Sequence, residues 1–260
     1  MPVLPDRKTE YLLYQTLVGA WPISQDRLLQ YMRKAVREAK EQTSWITPNA
    51  TFEEALEKFI KALLGDSEFL ADLESFLAPL MAPALVTSLS LVLLKLTAPG
   101  IPDIYQGTEL WDLSLVDSDN RRPVDFEVRR RLLAELANLS AEQIVERSQA
   151  GLPKLWTIRQ SLRTRNTHPA SFGAQGRYRP LWATGPKAAH VIAFQRGEDV
   201  ITVAPRLVMG NGTWDATFLE VPEGSWRNQL TGDIVEGGKV EVGALLRRFP
   251  VGLLAKEQAA

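Results

Sequence analysis

The chain has 260 residues, of which 45% are hydrophobic and 23% charged, a composition typical of a folded globular protein with one large core or two smaller ones. Its 30 basic and 31 acidic side chains leave a net charge of −1, which provides no electrostatic case for binding nucleic acid or an anionic membrane. The chain has no cysteine and two histidines, so disulfides, zinc–thiolate sites and iron–sulfur sites are excluded and a histidine-rich metal site is disfavoured.

The first half of the chain is predicted to be mainly helical. Apolar residues at helical spacing indicate one helix over 11–20 and a second helix that Ser24 can cap. Thr51 and Glu54 have the spacing of a capping box, which places the start of a third helix at residue 51. Gly65-Asp66 should end that helix and start a fourth over 66–76, where Phe69, Leu73 and Phe76 have helical spacing.

The most apolar stretch of the chain, residues 77–96, is interrupted by prolines and polar residues. Its uninterrupted part is shorter than a bilayer span, so it predicts a separate helix over 84–96 that neighbouring elements enclose on all sides. The first ten residues also lack the apolar core of a signal peptide. We therefore expect a cytoplasmic protein without membrane contact.

Residues 98–110, APGIPDIYQGTEL, follow this helix. The Pro-Gly pair should close the helix, Ile101–Tyr105 is predicted to form one short strand, and Gln106-Gly107 should turn the chain outward at the end of that strand. This layout suggests the end of a strand aimed at a site. The stretch is therefore a candidate active site.

Carboxylates and arginines crowd the residues around and after this stretch. Paired carboxylates carry out glycoside chemistry, one as the acid and the other as nucleophile or base, and neighbouring arginines keep such groups ionised. A solvated loop with internal salt bridges has the same composition, and the residues alone leave both interpretations open. The acidic residues are Asp103, Glu109, Asp112, Asp117, Asp119 and Asp125, with Arg121 and Arg122 among them.

Other kinds of site have less support. Residues 117–122, DSDNRR, begin like a calcium loop, but Arg122 stands where that loop needs glycine, so no metal is predicted. No nucleotide-binding glycine pattern occurs, so no cofactor is predicted either. The aromatic residues that could stack on the apolar face of a sugar, or equally fill the core or its rim, are Trp21, Trp45, Trp111 and Tyr105.

Two more helices are expected in the middle of the chain. One should begin near Phe126, and another is indicated over 152–165. Between them, Ser140 and Gln143 suit a second capping box.

The pattern changes to that of strands from about residue 174 onward. Short runs rich in β-branched and aromatic residues, such as 191–194 and 200–203, alternate with glycine-containing turns. Several short strands at this spacing predict a small antiparallel β domain.

One stretch resembles a known motif. APGIPDIYQGTE is similar to the segment on the eighth barrel strand of α-amylase-family enzymes, G-x-P-x-x-Y-x-G-x-E, present here as Gly100, Pro102, Tyr105, Gly107 and Glu109. Further segments narrow the resemblance to the C-terminal part of the maltooligosyl trehalose synthases, except that Ser118 stands where proline is expected. These segments are EYLLYQTLVGAWP (10–22), YMRKAVREAKEQTSW (31–45), DSDNRRPVDF (117–126), GLPKLW (151–156) and RRFPVGLLA (247–255).

This resemblance implies an α+β chain made of three parts. A helical subdomain inserted in a barrel would cover 1–97, and the last strand of a (β/α)8 barrel, a substrate loop and the following helices would cover 98–173. A small antiparallel β-sandwich domain would cover 174–260.

The resemblance also implies a reaction of carbohydrate metabolism. These enzymes convert the reducing-end α-1,4 linkage of a malto-oligosaccharide to α,α-1,1, an isomerisation in trehalose biosynthesis that proceeds by intramolecular transglycosylation. The glycoside-hydrolase-like chemistry uses an Asp nucleophile, a Glu acid/base and a further Asp on earlier barrel strands. Because this chain begins after those positions, we expect a fragment, either a naturally truncated product or an expressed piece, that has no catalytic residue and is inactive alone.

The implied partner is a malto-oligosaccharide held in the complete enzyme, not nucleic acid or a membrane. Apolar surface around 84–107 should be covered by the helices of 51–97 or should lead to a homodimer. Two other functions stay open: a non-catalytic α-glucan-binding scaffold, or a fragment of another α-amylase-family hydrolase or glucanotransferase. The implied substrate-binding residues are Tyr105, Gln106, Glu109, Asp117, Asp119, Asn120, Arg121 and Arg122.

Overall fold

The computed structural model describes residues 5–210 and 212–257. Its contacts divide the chain into two compact units. The helical unit consists of Met1–Leu80 with Leu113–Pro123, and the sheet unit consists of Met81–Asp112 with Val124–Ala260. The division into three parts with boundaries near residues 97 and 173 remains a prediction.

Three helices and the beginning of a fourth build the helical unit: α1 (Arg7–Ala20), α2 (Gln25–Ala39), α3 (Ala50–Gly65) and α4 (Ser67–Thr97). As predicted, Ser24 caps α2 by accepting a hydrogen bond from the backbone N–H of Arg27. The predicted cap of α3 is wrong, because Asn49 takes that role and accepts from the N–H of Phe52 at 3.1 Å. An asparagine two residues earlier starts the helix before Thr51 can cap it.

The apolar faces of these helices form one core. Each helix contributes residues spaced three or four apart, which places them on a single stripe. The buried members are Leu13, Leu17, Ala20, Ile23, Leu28, Met32, Val36, Phe52, Leu56, Ile60, Leu73 and Leu77.

Helix α4 is one helix of 31 residues, where two separate helices were predicted. It runs through Pro79 and Pro83, which lie four residues apart and therefore remove backbone donors on the same side of the helix. The expected enclosure on all sides is also wrong, since only 28% of its most apolar window is buried and Leu91 is 62% exposed.

By length and composition, α4 is the one helix among the described residues that is long and apolar enough to cross a membrane. A core helix of a globular protein passes the same test, so this single helix is weak evidence for a membrane span.

In the part of the chain that the structure describes, the sheet unit contains five more α-helices and one antiparallel sheet. The helices are α5 (Phe126–Glu135), α6 (Ala141–Glu146), α7 (Leu152–Thr167), α8 (Pro169–Phe172) and α9 (Val242–Leu245). The strands are β1 (Tyr178–Leu181), β2 (Ala183–Thr184), β3 (Val191–Arg196), β4 (Val200–Pro205), β5 (Phe218–Asn228), β6 (Ile234–Glu241) and β7 (Gly252–Lys256). The capping box predicted at the start of α6 is present in full.

All seven strands belong to a single curled sheet in the order β1-β3-β4-β7-β5-β2, with β6 paired to β5. The register of β5 with β6 shifts between Val221 and Ser225, which bends β5, and its two ends pair with β2 and with β7. The predicted antiparallel arrangement is confirmed, but the description as a sandwich of two sheets is not.

The predicted barrel strand over Ile101–Tyr105 is absent from the described structure. These residues belong to no strand, no described strand pairs with them, and Ile101 is 99% exposed. A strand requires hydrogen bonds to a neighbour, and every strand pair in the described sheet is antiparallel. The barrel description is therefore not confirmed.

Candidate functional site

The predicted site residues fall in both units, and each group is described within its own unit. Tyr105, Gln106 and Glu109 belong to the sheet unit. The loop residues Asp117 to Arg122 belong to the helical unit.

Arg129 of α5 fixes the segment that carries Glu109. Its Nε donates to the Glu109 carboxylate at 3.0 Å, and its terminal nitrogens donate to the backbone carbonyls of Gly107 and Asp125. Gly107 has a positive φ of 90°, and an added Cβ would lie 3.0 Å from the side chain of Val124, so only glycine fits this turn. Glu109 therefore holds the turn in place through its ion pair.

Lys154 of α7 holds the next residues. Its ammonium donates to the carbonyl of Leu110 at 2.9 Å and lies 5.8 Å from the ring centre of Trp111. Burial lowers the pKa of Lys154, because a charged amine loses its hydration, and the nearby carboxylates of Asp112 and Glu109 counter part of that effect.

Tyr105 and Gln106 are both exposed. Tyr105 borders a cavity of about 280 Å³ that Lys95, Asp103 and Lys154 also line. The backbone carbonyl of Tyr105 accepts from both the N–H and the hydroxyl of Thr108, at 3.1 and 2.7 Å. A closed turn thus presents an aromatic side chain and an amide side chain to solvent.

Asp119 anchors the loop of the helical unit. Its carboxylate accepts two hydrogen bonds from the guanidinium of Arg27 in α2, at 2.9 and 2.8 Å, and a third from the backbone N–H of Leu115 at 2.7 Å. Both partners of this ion pair are mostly buried. The Arg27 hydrogen bonds hold the pKa of Asp119 below its ordinary value, although burial works in the opposite direction.

The other loop residues are more exposed. Asp117 pairs with Arg121 at 2.8 Å, and its backbone carbonyl accepts from the ammonium of Lys34. Arg122 donates to the carbonyl of Asp119 at 3.0 Å. The side-chain oxygen of Asn120 is buried and has no hydrogen-bond partner within the described structure, which leaves one acceptor of the loop unused.

Sequence reasoning missed the cations that position these residues. Arg27, Arg129 and Lys154 stand on helices, and their partners are 92, 20 and 44 positions away along the chain. A charged residue on the polar side of a predicted helix carries no signal of such a distant partner. Only GLPKLW, quoted for the family resemblance, contained one of them.

No group of three or more His, Cys, Asp or Glu side chains in the described ranges is arranged to hold a metal ion. Each of the two groups contains amide side chains and paired charges. Such groups can hydrogen-bond a polyhydroxylated ligand.

Comparison with known proteins finds relatives that share one name. A protein found in two Mycobacterium tuberculosis strains, provisionally named maltooligosyl trehalose synthase, is 40% identical over 264 residues and covers 98% of this chain. The structure of maltooligosyltrehalose synthase from Arthrobacter ramosus matches 95% of the chain at 39% identity with a TM-score of 0.85. A hypothetical maltooligosyl trehalose synthase of Sulfolobus tokodaii matches 97% at 29% identity with a TM-score of 0.75. No family model matches the chain.

The chain is similar to the C-terminal part of maltooligosyl trehalose synthase. This confirms the resemblance predicted from the segments of the sequence. The chain spans about a third of its relatives, since it covers 32% of the Mycobacterium protein and 32% of the Arthrobacter enzyme.

The likeness to maltooligosyl trehalose synthase extends over both units, because the aligned regions leave out at most 5% of the chain. Within those units, Glu109 pairs with Arg129 and Asp119 pairs with Arg27. Which of these side chains contact substrate stays a prediction.

Proposed function

We propose that this chain forms the C-terminal part of a maltooligosyl trehalose synthase and that, in the complete enzyme, it helps to bind a malto-oligosaccharide. The proposed reaction converts the α-1,4 linkage at the reducing end to α,α-1,1, a step in trehalose biosynthesis. The observation that carries the proposal is the match of 95–98% of the chain to two such proteins at 39–40% identity.

The proposed chemistry is a double displacement with retention. An Asp carboxylate attacks the anomeric carbon and breaks the glycosidic bond, while a Glu carboxylic acid gives its proton to the leaving oxygen. The released glucose stays in the closed pocket and turns, and its anomeric hydroxyl then attacks the glycosyl-enzyme as the Glu takes up the proton. In this proposal the reacting carboxylates belong to the rest of the enzyme, so this chain is inactive alone.

The contribution proposed for this chain is one wall of the sugar pocket. Tyr105 and Gln106 are exposed next to Gly107, whose carbonyl accepts from Arg129, which suits direct contact with sugar. Lys154 holds the carbonyl of Leu110 a few residues later. Glu109 is assigned a positioning role because its carboxylate is engaged by Arg129.

The loop of Asp117 to Arg122, in the helical unit, is a second segment that we propose for contact with the sugar. Its side chains are linked to one another and to α2 by ion pairs, which support hydrogen bonding to hydroxyl groups. A pocket for a neutral sugar needs such fixed donors and acceptors rather than free charge.

Two rival functions make different predictions. A stand-alone glucan-binding scaffold should bind malto-oligosaccharides tightly in calorimetry, whereas a partial pocket should bind weakly or not at all. The segments outside the APGIPDIYQGTE motif argue against a fragment of another α-amylase-family enzyme. The DNA upstream of Met1 is informative as well, since an in-frame barrel with three carboxylates would support the fragment proposal.

A chimera tests the proposed function. The 260 residues of this chain replace the matching third of the Arthrobacter ramosus enzyme, and loss of reducing ends from maltopentaose is followed. We expect the folded chimera to form a non-reducing product and the isolated chain to form none. A folded chimera that leaves maltopentaose reducing would overturn the proposal, and conversion by the isolated chain would overturn the claim that it is inactive alone.

We further propose that the chain is cytoplasmic and that it forms a homodimer when it is alone. Exposed apolar side chains support the dimer, including Leu91 on α4 and Ile101 after it.

A further inference from the structure

We propose that the helical unit carries a subsite for one ring of a neutral oligosaccharide, with the indole of Trp45 as its stacking platform. The assignment of the ligand as a malto-oligosaccharide rests on the proposed function. The existence of the subsite rests on the contacts around Trp45 themselves.

Trp45 lies in a closed turn between α2 and α3. The N–H of Ser44 donates to the carbonyl of Thr47 at 3.2 Å, and the N–H of Thr47 donates back to the Ser44 hydroxyl at 2.9 Å. The turn fixes the backbone of Trp45, yet the residue is 56% exposed. Holding a large apolar ring in water is unfavourable, so a fixed and exposed indole suggests that a ligand covers it.

The indole ring is supported by Arg37. The guanidinium carbon of Arg37 lies 4.8 Å from the ring centre, in cation–π geometry. Arg37 is in turn held by two hydrogen bonds to Glu53, at 2.8 and 2.6 Å, and Glu53 also accepts from the hydroxyl of Thr43 at 2.7 Å. The hydrogen bonds from Arg37 lower the pKa of Glu53 and keep it ionised. Trp45 therefore has a preorganised ring orientation.

Trp45 is one wall of a cavity of about 280 Å³, and Tyr31 supplies a second aromatic ring. Gln30, Asp117 and Ser118, whose side chains carry an amide, a carboxylate and a hydroxyl, also line the cavity. The volume is just below the roughly 300 Å³ at which pockets for drug-sized ligands begin, which suits a single sugar ring. Rings for the apolar face of a sugar and polar groups for its hydroxyls thus meet in one place.

The charges of this cavity favour a neutral ligand over an ionic one. Every charged side chain of the lining has an ion-pair partner within the helical unit, so a charged ligand would have to compete with an existing pair. Hydroxyl groups can instead use the remaining lone pairs and N–H groups without breaking any of them. The pairs are Arg27 with Asp119, Arg33 with Glu57, Lys34 with Glu38, and Asp117 with Arg121.

The test is a titration of the whole chain with maltoheptaose, followed by NMR of the indole N–H groups of its seven tryptophans. Trp45→Phe removes one resonance and thereby assigns it. We expect that resonance to shift with an apparent dissociation constant on the order of millimolar, as for a single exposed subsite. Trp45→Ala lacks this resonance, so its affinity and that of the parent chain are compared by calorimetry; the variant should bind about tenfold more weakly, as expected when one aromatic contact is lost.

Trp182→Ala is the matched control, since Trp182 is 80% exposed in the sheet unit and should leave the affinity unchanged. Arg37→Met should weaken binding while circular dichroism stays unchanged, because the ring loses its support. Inorganic phosphate should not shift the Trp45 resonance.

Three results would overturn the subsite: an unshifted Trp45 resonance, equal affinity of the two alanine variants, or a shift with phosphate alone. Ile46 is 94% exposed beside Trp45, so a surface for protein docking is the rival explanation, and it predicts the first of these results. If the chimera is active but Trp45→Ala has no effect on binding, the subsite is contradicted and the proposed function is supported. If maltoheptaose binds at Trp45 but the chimera is inactive, the subsite is supported and the proposed function is contradicted.

Discussion

Asp117 and Asp119 stand two positions apart in one loop, but their surroundings differ. Asp119 accepts three hydrogen bonds from Arg27 and Leu115 and is mostly buried, whereas Asp117 makes an exposed pair with Arg121. Partly buried charged hydrogen bonds contribute more to stability than exposed ion pairs, because water competes less for them. This contrast gives a matched pair of substitutions.

We expect Asp119→Asn to lower the free energy of unfolding by about 1–3 kcal/mol, as for loss of charged hydrogen bonds. Asp117→Asn should change it by less than about 1 kcal/mol, as for an exposed pair. Urea denaturation of both variants at pH 7 measures the difference. Equal effects of the two substitutions would contradict the anchoring role of Asp119.

The stability that Asp119 contributes through its ion pair with Arg27 should depend on pH. The pKa of Asp119 is lower in the folded chain than its ordinary value of 3.8, so the unfolded chain binds the proton more readily. The stability from this group is therefore complete above about pH 4 and declines as the pH falls further. The difference between the parent chain and Asp119→Asn should shrink from pH 7 to pH 3 in the same urea measurement, and a constant difference would contradict the assignment.

At the scale of elements, α4 departs most from what its sequence suggests. The sequence predicts a break near the two prolines, but the structure keeps one helix through them. One stripe of the helix is buried, with Leu89, Leu93 and Leu96 in the core, and the opposite side carries the exposed Leu91. Packing of the buried stripe therefore outweighs the backbone hydrogen bonds lost at proline.

A pair of substitutions two residues apart tests this orientation of α4. Leu93→Ala should lower the free energy of unfolding by about 2–5 kcal/mol, as for a leucine removed from a packed core. Leu91→Ala should change it by less than about 0.5 kcal/mol, as for a surface position. Denaturation followed by circular dichroism compares them, and a larger loss for Leu91→Ala would show that the helix faces the other way.

For the whole molecule, the exposed apolar residues raise the question of association. Leu91 is 62% exposed and Ile101 is 99% exposed, both within the sheet unit. The expectation that helices from 51–97 would cover this surface is not met at these two positions. The proposed homodimer is the remaining expectation.

Light scattering over a range of concentrations tests association. We expect the parent chain to show a mass above the 29.0 kDa of one chain as its concentration rises. The double substitution Leu91→Lys with Ile101→Asp should keep it at the mass of one chain, because charge replaces the apolar contact. Val18→Lys, at another exposed apolar position, in the helical unit, serves as the control and should leave association unchanged. A parent chain with the mass of a monomer throughout would contradict the homodimer.

The predictable parts of this protein depend on neighbours in the sequence. Ser24 and the Ser140–Gln143 box cap their helices as predicted, and the hairpin of β3 and β4 occupies the predicted runs. Caps and tight turns are formed by residues within a few positions of one another, so their spacing alone is sufficient. The family resemblance likewise needed only the order of short segments.

Other features depended on residues far apart along the chain. Strand β7 was not predicted, and it exists because β4 and β5 offer it hydrogen bonds. Arg27 meets Asp119 across 92 positions, and Ile101–Tyr105 lacks a strand partner in the described structure. The sequence by itself determined where most helices begin and which segments resemble the family. Tertiary structure alone decided which charges pair, which apolar sides are buried and which extended segments become strands, because each of these needs a partner that local spacing does not specify.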